Sequence, residues 1–181
     1  SLDKQFLTIG INGMVEAAEY LGIAPTNNEQ YKDFVRHHLK IIYEENRKAR
    51  EVYGYMFNTE FVPAENLGVK NALWDKKDGL FSPRECYNSY FYAVEDTQVN
   101  ALDKIILHGK EIIQYLDGGS ALHLNLEETP NKEGFLKLLN ATALAGCNYF
   151  CFNIRITICN ECNHIDKRTL FECPECHSEN V

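Results

Sequence analysis

Phe150-Cys151-Phe152-Asn153-Ile154-Arg155-Ile156-Thr157-Ile158 alternates without a lapse and runs straight into Cys159-Asn160-Glu161-Cys162. Phe150, Phe152, Ile154, Ile156 and Ile158 share one parity, while Cys151, Asn153, Arg155 and Thr157 share the other, the pattern of a strand buried on one face. In a closed barrel the polar parity looks inward and brings Asn153 and Arg155 to a cavity; on an open sheet it meets water. Beyond the strand, Cys159-x2-Cys162, ten intervening residues and Cys173-Pro174-Glu175-Cys176 form a four-thiolate set. Each pair puts two sulfurs on one tight turn, and two opposed turns complete a tetrahedron, which selects zinc or iron over hard cations. Residues 159–181 hold only Ile165, Leu170, Phe171 and Val181 as sizeable hydrophobes besides the cysteines. The metal must therefore supply the folding free energy, on the order of 10 kcal/mol for such sites. Redox thiols would explain one Cys-x-x-Cys pair but not a second of equal spacing. With four protein ligands no position remains for a catalytic water, so the ion is structural. His164 and His177 are read as neighbours of the knuckles rather than ligands.

The preceding residues read as an α/β body, giving two units, 1–158 and 159–181. Thr8-Ile9-Gly10-Ile11-Asn12-Gly13 is the end of a strand, followed by a short helix from Met14 to Tyr20 that Gly22 stops. Thr26 and Glu29 stand at capping-box distance. They open a helix of about 25 residues with Tyr31, Phe34, Val35, Ile41 and Ile42 along its apolar stripe, ended by Gly54. Tyr55 to Phe61 reads as a strand, Pro63-Ala64-Glu65 as a turn into a short helix that Glu65 caps, and Lys76-Lys77-Asp78-Gly79 as a solvated turn. The aromatic stretch Cys86 to Val94 favours extended structure. Residues 98–116 read as helical, with Gly109 a weak point. Asp117-Gly118-Gly119-Ser120 is a turn, Leu122, Leu124 and Leu126 mark a strand, and a further helix runs from after Pro130 to about Ala145.

Charge narrows the partners. The 181 residues carry 18 Lys plus Arg against 26 Asp plus Glu, a formal net charge of -8. No run of three basic residues occurs, and the cysteine-rich tail has two basic residues, Lys167 and Arg168, against five acids. Nucleic acid and an anionic membrane are both poor partners for such a surface. No apolar stretch reaches spanning length and no signal peptide is visible, so the expected compartment is the cytoplasm. Seven cysteines, an odd number with four of them clustered, fit reduced thiolates better than a disulfide framework.

Other candidates carry weaker signals. Gly118-Gly119-Ser120 either cradles a phosphate with backbone N–H groups or is a plain tight turn. Cys86, Cys147 and Cys151 read as buried small hydrophobes. His37, His38 and His108 lie on helices and need no function, whereas His123 points opposite Leu122 and Leu124 and can reach a cavity. Local spacing assembles no Ser-His-Asp or Cys-His set.

One ordered series of short segments is more specific than any of its members. It runs Phe6-Leu7-Thr8-Ile9-Gly10-Ile11-Asn12-Gly13 with Glu16-Ala17, Val62-Pro63-Ala64-Glu65-Asn66-Leu67, Lys76-Lys77-Asp78, Tyr87-Asn88-Ser89, Asp117-Gly118-Gly119-Ser120 leading into His123, Tyr149-Phe150 leading to Asn153, and the paired knuckles. Over nearly the whole chain it resembles the C-terminal part of the catalytic subunit of the anaerobic (class III) ribonucleoside-triphosphate reductases, glycyl-radical enzymes built on a ten-stranded α/β barrel. The resemblance implies the second half of that barrel with a zinc-ribbon-like four-cysteine unit. It also implies reduction of ribonucleoside triphosphates to the 2'-deoxy form by glycyl and thiyl radicals. The implied partners are an activase carrying an iron–sulfur cluster and S-adenosylmethionine, and a second copy of the full-length protein in a homodimer.

In that family the radical glycine follows the knuckles in an Arg-x-x-Gly-Tyr context and the attacking barrel thiol lies upstream of the segment matched by Phe6. Neither has a counterpart here, and Asn163 and His177 stand where glycine commonly follows each knuckle pair. The expectation is a fragment inactive by itself, with Gly118, Gly119 and Ser120 near substrate phosphates, Asn88 and Ser89 lining the pocket, Asn153 and Arg155 facing the barrel interior, and Glu65 a cavity carboxylate or cap. The competing expectation is a zinc-ribbon binding module that recognises protein or nucleic acid.

Overall fold

The computed structural model describes residues 4–61, 63–93, 99–126, 129–154 and 156–181. Arg155, Val62 and the side chain of Glu65 lie outside the described residues, as does the stretch 94–98.

The first strand, β1 (Phe6–Ile11), leads through Gly13 into helix α1 (Met14–Tyr20), as the glycine-flanked apolar run implies. Gly13 has φ +79, a left-handed conformation suited to glycine. Helix α2 (Glu29–Tyr53) ends at Gly54 with φ +69. Its cap is Asn28, whose side chain accepts the Tyr31 N–H, so Asn28 rather than Thr26 fills the N-cap. Thr26 instead accepts a hydrogen bond from the Asn28 amide at 2.8 Å. The buried stripe of α2 is Tyr31, Val35, Leu39 and Asn46, while Ile41 is exposed.

Strand β2 (Met56–Phe61) is followed by helix α3 (Glu65–Lys77), which extends to the Lys-Lys pair before the turn at Asp78 and Gly79. Residues 86–93 form bends rather than a strand. Their aromatic rings fill the core instead: Phe91 and Tyr92 are fully buried, Tyr31 Oη donates to Phe91 O at 2.7 Å, and Phe61 and Phe91 meet at 3.9 Å between ring centroids. The segment 98–116 divides at Gly109 into α4 (Ala101–Leu107) and α5 (Lys110–Ile113). At the break Gly109 is extended (φ -78, ψ 176), and a side chain would not fit there, because a Cβ would stand 2.9 Å from Ala145 O and 3.0 Å from Ile106 O. Then come β3 (Gly119–Ser120), β4 (Leu122–Leu126), α6 (Lys132–Ala145), β5 (Phe150–Ile154), β6 (Thr157–Ile158) and β7 (Ile165–Asp166). The long alternating run is thus two strands, β5 and β6, not one.

The barrel expectation is corrected here. β1, β2 and β3 make one parallel sheet, β4 and β5 a second parallel pair, and β6 and β7 an antiparallel hairpin, and among the described residues no sheet closes on itself. The physical reason is local. Residues 119–126 pair with β2 only through Gly119 and Ser120, opposite Glu60 and Phe61, and from Leu122 onward pair with β5 instead. Ala121 separates the two ladders, so the result is an open α/β array. Helix α2 packs on β2 and α4 on β4, with α5 against α2 and α6 against α4, and Leu122 and Leu124 are buried. No helix among the described residues is long and apolar enough to cross a membrane.

Candidate functional site

The knuckles are built twice on one pattern. In the first, Asn163 N donates to Cys159 O at 2.9 Å and Cys159 N to His164 O at 2.9 Å. In the second, His177 N donates to Cys173 O at 2.9 Å and Cys173 N to Ser178 O at 2.8 Å. Both turns need a left-handed residue after the second cysteine, and Asn163 (φ 58) and His177 (φ 57) adopt that conformation in place of glycine. Asparagine and histidine are among the non-glycine types that tolerate it best. Asn160 and Asn180 tie the chain end to the first knuckle by a backbone and a side-chain hydrogen bond.

These turns bring the Sγ atoms of Cys159, Cys162, Cys173 and Cys176 within 4.8 Å of one another. The shortest separations cross between knuckles, 3.5 Å for Cys159–Cys176 and 3.5 Å for Cys162–Cys173. Four sulfurs around a zinc ion at about 2.3 Å would stand roughly 3.8 Å apart, so the cluster fits a tetrahedral ion with little adjustment. Backbone N–H groups at Cys162 and Glu161 point at the Cys159 sulfur and lower its pKa, while hydrogen bonds among the crowded thiols raise those of Cys162 and Cys176, so with no ion bound Cys159 is the thiol that ionises first. Cys159 and Cys173 are buried, and Cys162 and Cys176 exposed. His177 Nδ1 pairs with Glu172 at 2.8 Å, beside the knuckle.

In the α/β array, a cavity of about 400 Å³ lies where β2 ends and β5 begins, lined by Glu60, Phe61, Pro63, Gly119, Ser120, Ala121, Asn148 and Tyr149. Gly119 and Ser120 are therefore on its wall. The N–H groups of the glycine turn are committed elsewhere: Gly118 N donates to Thr59 O at 2.9 Å and Gly119 N to Leu116 O at 3.1 Å. Gly118 is packed so closely that a Cβ would meet Asn58 Nδ2 and Thr59 O at 2.9 Å each, whereas Gly119 faces open space with φ +116. The Ser120 hydroxyl lies 3.0 Å from His108 Nε2.

Asn88 and Ser89 sit apart from that cavity, clamping the ends of β1 and β2. Ser89 Oγ accepts from Asn12 Nδ2 at 3.0 Å and from Ala64 N at 3.1 Å. Asn88 gives its backbone N–H and its amide to Glu16, at 3.1 and 2.6 Å to Oε1, and its carbonyl accepts the Gly13 N–H at 2.9 Å. Glu16, only 4% exposed, also receives Arg84 Nη1 at 3.2 Å, and Arg84 binds Glu19 through both terminal nitrogens. A second cavity of about 430 Å³ opens beside this cluster, with Asn12, Glu16, Asp75 and Tyr87 among its lining. Asn153 lies on the exposed face of β5, its amide donating to Asn125 Oδ1 at 3.0 Å. The six residues expected to contact substrate thus fall in three places.

Of the three cysteines read as buried hydrophobes, only Cys147 is buried. Its Sγ contacts His108 O at 3.3 Å, and burial pushes its pKa up to about 11. Cys86 is half-buried and Cys151 exposed on the polar face of β5, a position its strand parity already gave. His123 is half-buried, its carbonyl accepting from Tyr92 Oη. Sequence reasoning quoted Glu16 only as part of a resemblance and gave no role to this acid inside the apolar run Met14-Val15-Glu16-Ala17-Ala18. It read Asp117 only as a turn residue, not as the acceptor of the Thr59 N–H, and missed the full burial of His108.

An open parallel α/β array followed by four convergent thiols defines an α/β protein with a zinc-ribbon-like ending able to hold a metal ion. The family is shown by the match of residues 1–181 to the model described as anaerobic ribonucleoside-triphosphate reductase, and the chain belongs to that family. Solved structures agree. The anaerobic ribonucleotide reductase from Thermotoga maritima in complex with dATP and CTP superposes with a TM-score of 0.81 at 30% identity, over 98% of this chain and 30% of that one. The same organism's enzyme with MES in the active site gives a TM-score of 0.83 at 31% identity, over 100% of this chain and 31% of that one. The chain therefore spans about 30% of the length of these structures. No curated protein matches it.

Proposed function

We propose that this chain is the C-terminal part of the catalytic subunit of an anaerobic ribonucleoside-triphosphate reductase, in which residues 1–158 form part of the catalytic body and residues 159–181 a zinc-stabilised ribbon. The observation that carries this is the family match across all 181 residues together with four convergent thiols at the end of the chain. In the full-length enzyme a ribonucleoside triphosphate is reduced to its 2'-deoxy form, and a glycyl radical, installed by an activase using S-adenosylmethionine, supplies the radical chemistry.

The chain's own residues bind and orient. Gly119 leaves room beside its Cα and Ser120 brings a hydroxyl for the nucleotide, and Gly118 fixes their height by packing on Thr59. Asn88 and Ser89 hold the ends of β1 and β2 through Glu16, Asn12 and Ala64. Asn153 contributes a polar face on β5. Cys159, Cys162, Cys173 and Cys176 hold the zinc, whose task is to keep the ribbon folded beside the body. The full-length protein acts as a cytoplasmic homodimer, binding neither nucleic acid nor membrane. No Arg-x-x-Gly-Tyr segment occurs in the 181 residues, so the isolated chain does not reduce nucleotides.

The test is an anaerobic assay with activase, S-adenosylmethionine and reductant. The 181-residue chain gives no deoxynucleotide, whereas a reductase carrying this sequence as its C-terminal part does. Turnover by the isolated chain, or none by the complete protein, refutes the proposal.

A further inference from the structure

His108 is fully buried, yet the only hydrogen-bond partner of its imidazole among the described residues is Ser120 Oγ, 3.0 Å from Nε2. Its Nδ1 is buried without a partner. Phe91 packs against the ring with centroids 6.1 Å apart, and Cys147 Sγ bonds the His108 carbonyl rather than the imidazole. Ser120 lines the 400 Å³ cavity at the end of β2 and has no side-chain partner besides His108 among the described residues.

Burial holds the His108 pKa down at about 4 against the opposing pull of the Ser120 backbone, so the ring is neutral at neutral pH and carries one proton. Placed on Nδ1, that proton would be an orphaned buried donor. Placed on Nε2, it satisfies the Ser120 oxygen and leaves Nδ1 as a bare acceptor. Orphaned N–H groups are rarer in folded proteins than under-satisfied acceptors, and the partnered nitrogen sets the tautomer.

We infer that His108 is a positioning residue that donates from Nε2 to Ser120 Oγ and so commits the Ser120 hydroxyl hydrogen to an acceptor oxygen of whatever occupies the cavity. The inference rests on reading that cavity as the nucleotide pocket. It makes Ser120 a donor by design of its neighbour, and it gives a buried histidine on a helix end a part in recognition.

Long-range ¹⁵N–¹H correlation spectra of the histidine-labelled 181-residue chain at neutral pH test it directly. The expected result for His108 is a protonated Nε2 and a bare Nδ1. The opposite tautomer, or an imidazolium, overturns the inference whatever the cavity binds. Adding CTP should then shift the Ser120 amide and the His108 ring. The expected tautomer with no shift on CTP overturns the pocket reading and leaves the tautomer standing.

In a complete reductase carrying this sequence, Ser120→Ala should raise KM for the nucleotide about 2- to 10-fold, the loss of one hydrogen bond, with kcat little changed. Because His108 acts through Ser120, His108→Leu combined with Ser120→Ala should cost no more than Ser120→Ala alone. Additive losses in KM overturn the assignment.

Discussion

Asp117 and Thr59 are joined side chain to backbone. Asp117 Oδ1 accepts the Thr59 N–H at 3.0 Å, and its other oxygen binds the Arg50 guanidinium. The next residue, Gly118, donates its N–H to Thr59 O at 2.9 Å, so together they continue the β2–β3 ladder one residue before β3 begins. Arg50 in turn donates from Nε to Phe57 O at 2.6 Å. One carboxylate therefore ties the end of α2, the middle of β2 and the glycine turn. Asp117→Ala should lower unfolding free energy by about 1–3 kcal/mol, read from urea denaturation, because it strips a partner from a backbone donor. Asp117→Asn, which keeps an acceptor, should cost less.

The two glycines of the turn should fail for different reasons. Gly118→Ala puts a methyl group 2.9 Å from Thr59 O, which forces the β2–β3 contact apart. Gly119→Ala meets no atom but must hold φ near +116, at a cost of about 1–3 kcal/mol. Both variants should lower the melting temperature. A crystal structure should show a displaced backbone only in Gly118→Ala.

Acid should weaken the fold through His108. The unfolded imidazole takes up its proton near pH 6.5, while the folded one resists until about pH 4. The unfolded state thus binds more protons between those values, and stability falls as the pH drops through that window. From pH 7 to pH 5 the loss attributable to this group is about 2 kcal/mol. Urea titrations at the two pH values, repeated on His108→Leu, should show a shallower dependence in the variant.

Glu16 is the acid whose removal should cost most. It is buried and receives the Asn88 backbone, the Asn88 amide and Arg84. Glu16→Ala should destabilise the chain by about 3–5 kcal/mol, the range for breaking one side of a buried charged network. Chemical denaturation measures it, and a loss under 1 kcal/mol would contradict the role.

Elemental analysis should find one zinc per chain. A strong chelator should make residues 159–181 sensitive to protease while the helical circular dichroism of the body persists. Cys173→Ser should reproduce the chelated state without chelator.

Much of this was readable in advance wherever a local signal decided the outcome. The helix Met14–Tyr20 and the end of α2 at Gly54 follow from glycine punctuation, and the β4 and β5 alternation follows from period-two patterning. The thiol cluster follows from spacing alone. The rest depends on partners distant in sequence. Asn28 outcompeted Thr26 as cap because its amide oxygen reaches the Tyr31 N–H while Thr26 braces it. The aromatic run before Val94 looked like a strand because aromatics favour sheets, yet tertiary packing buries Phe91 and Tyr92 without a ladder. Barrel closure was inferred from family resemblance, and the described strands have open edges. The cavity at the end of β2 mixes residues from 60 to 149, and no window of sequence displays that conjunction.

Each knuckle conceals one sulfur and offers the other to solvent, Cys159 and Cys173 inside, Cys162 and Cys176 outside. An alkylating or oxidising reagent consequently attacks the outer pair first, and the inner pair becomes vulnerable only after a turn has opened. Damage to the ribbon proceeds in two stages: oxidation that stops at a disulfide between the outer pair is undone when a reductant returns two electrons and restores all four thiols, whereas alkylation of that pair is permanent.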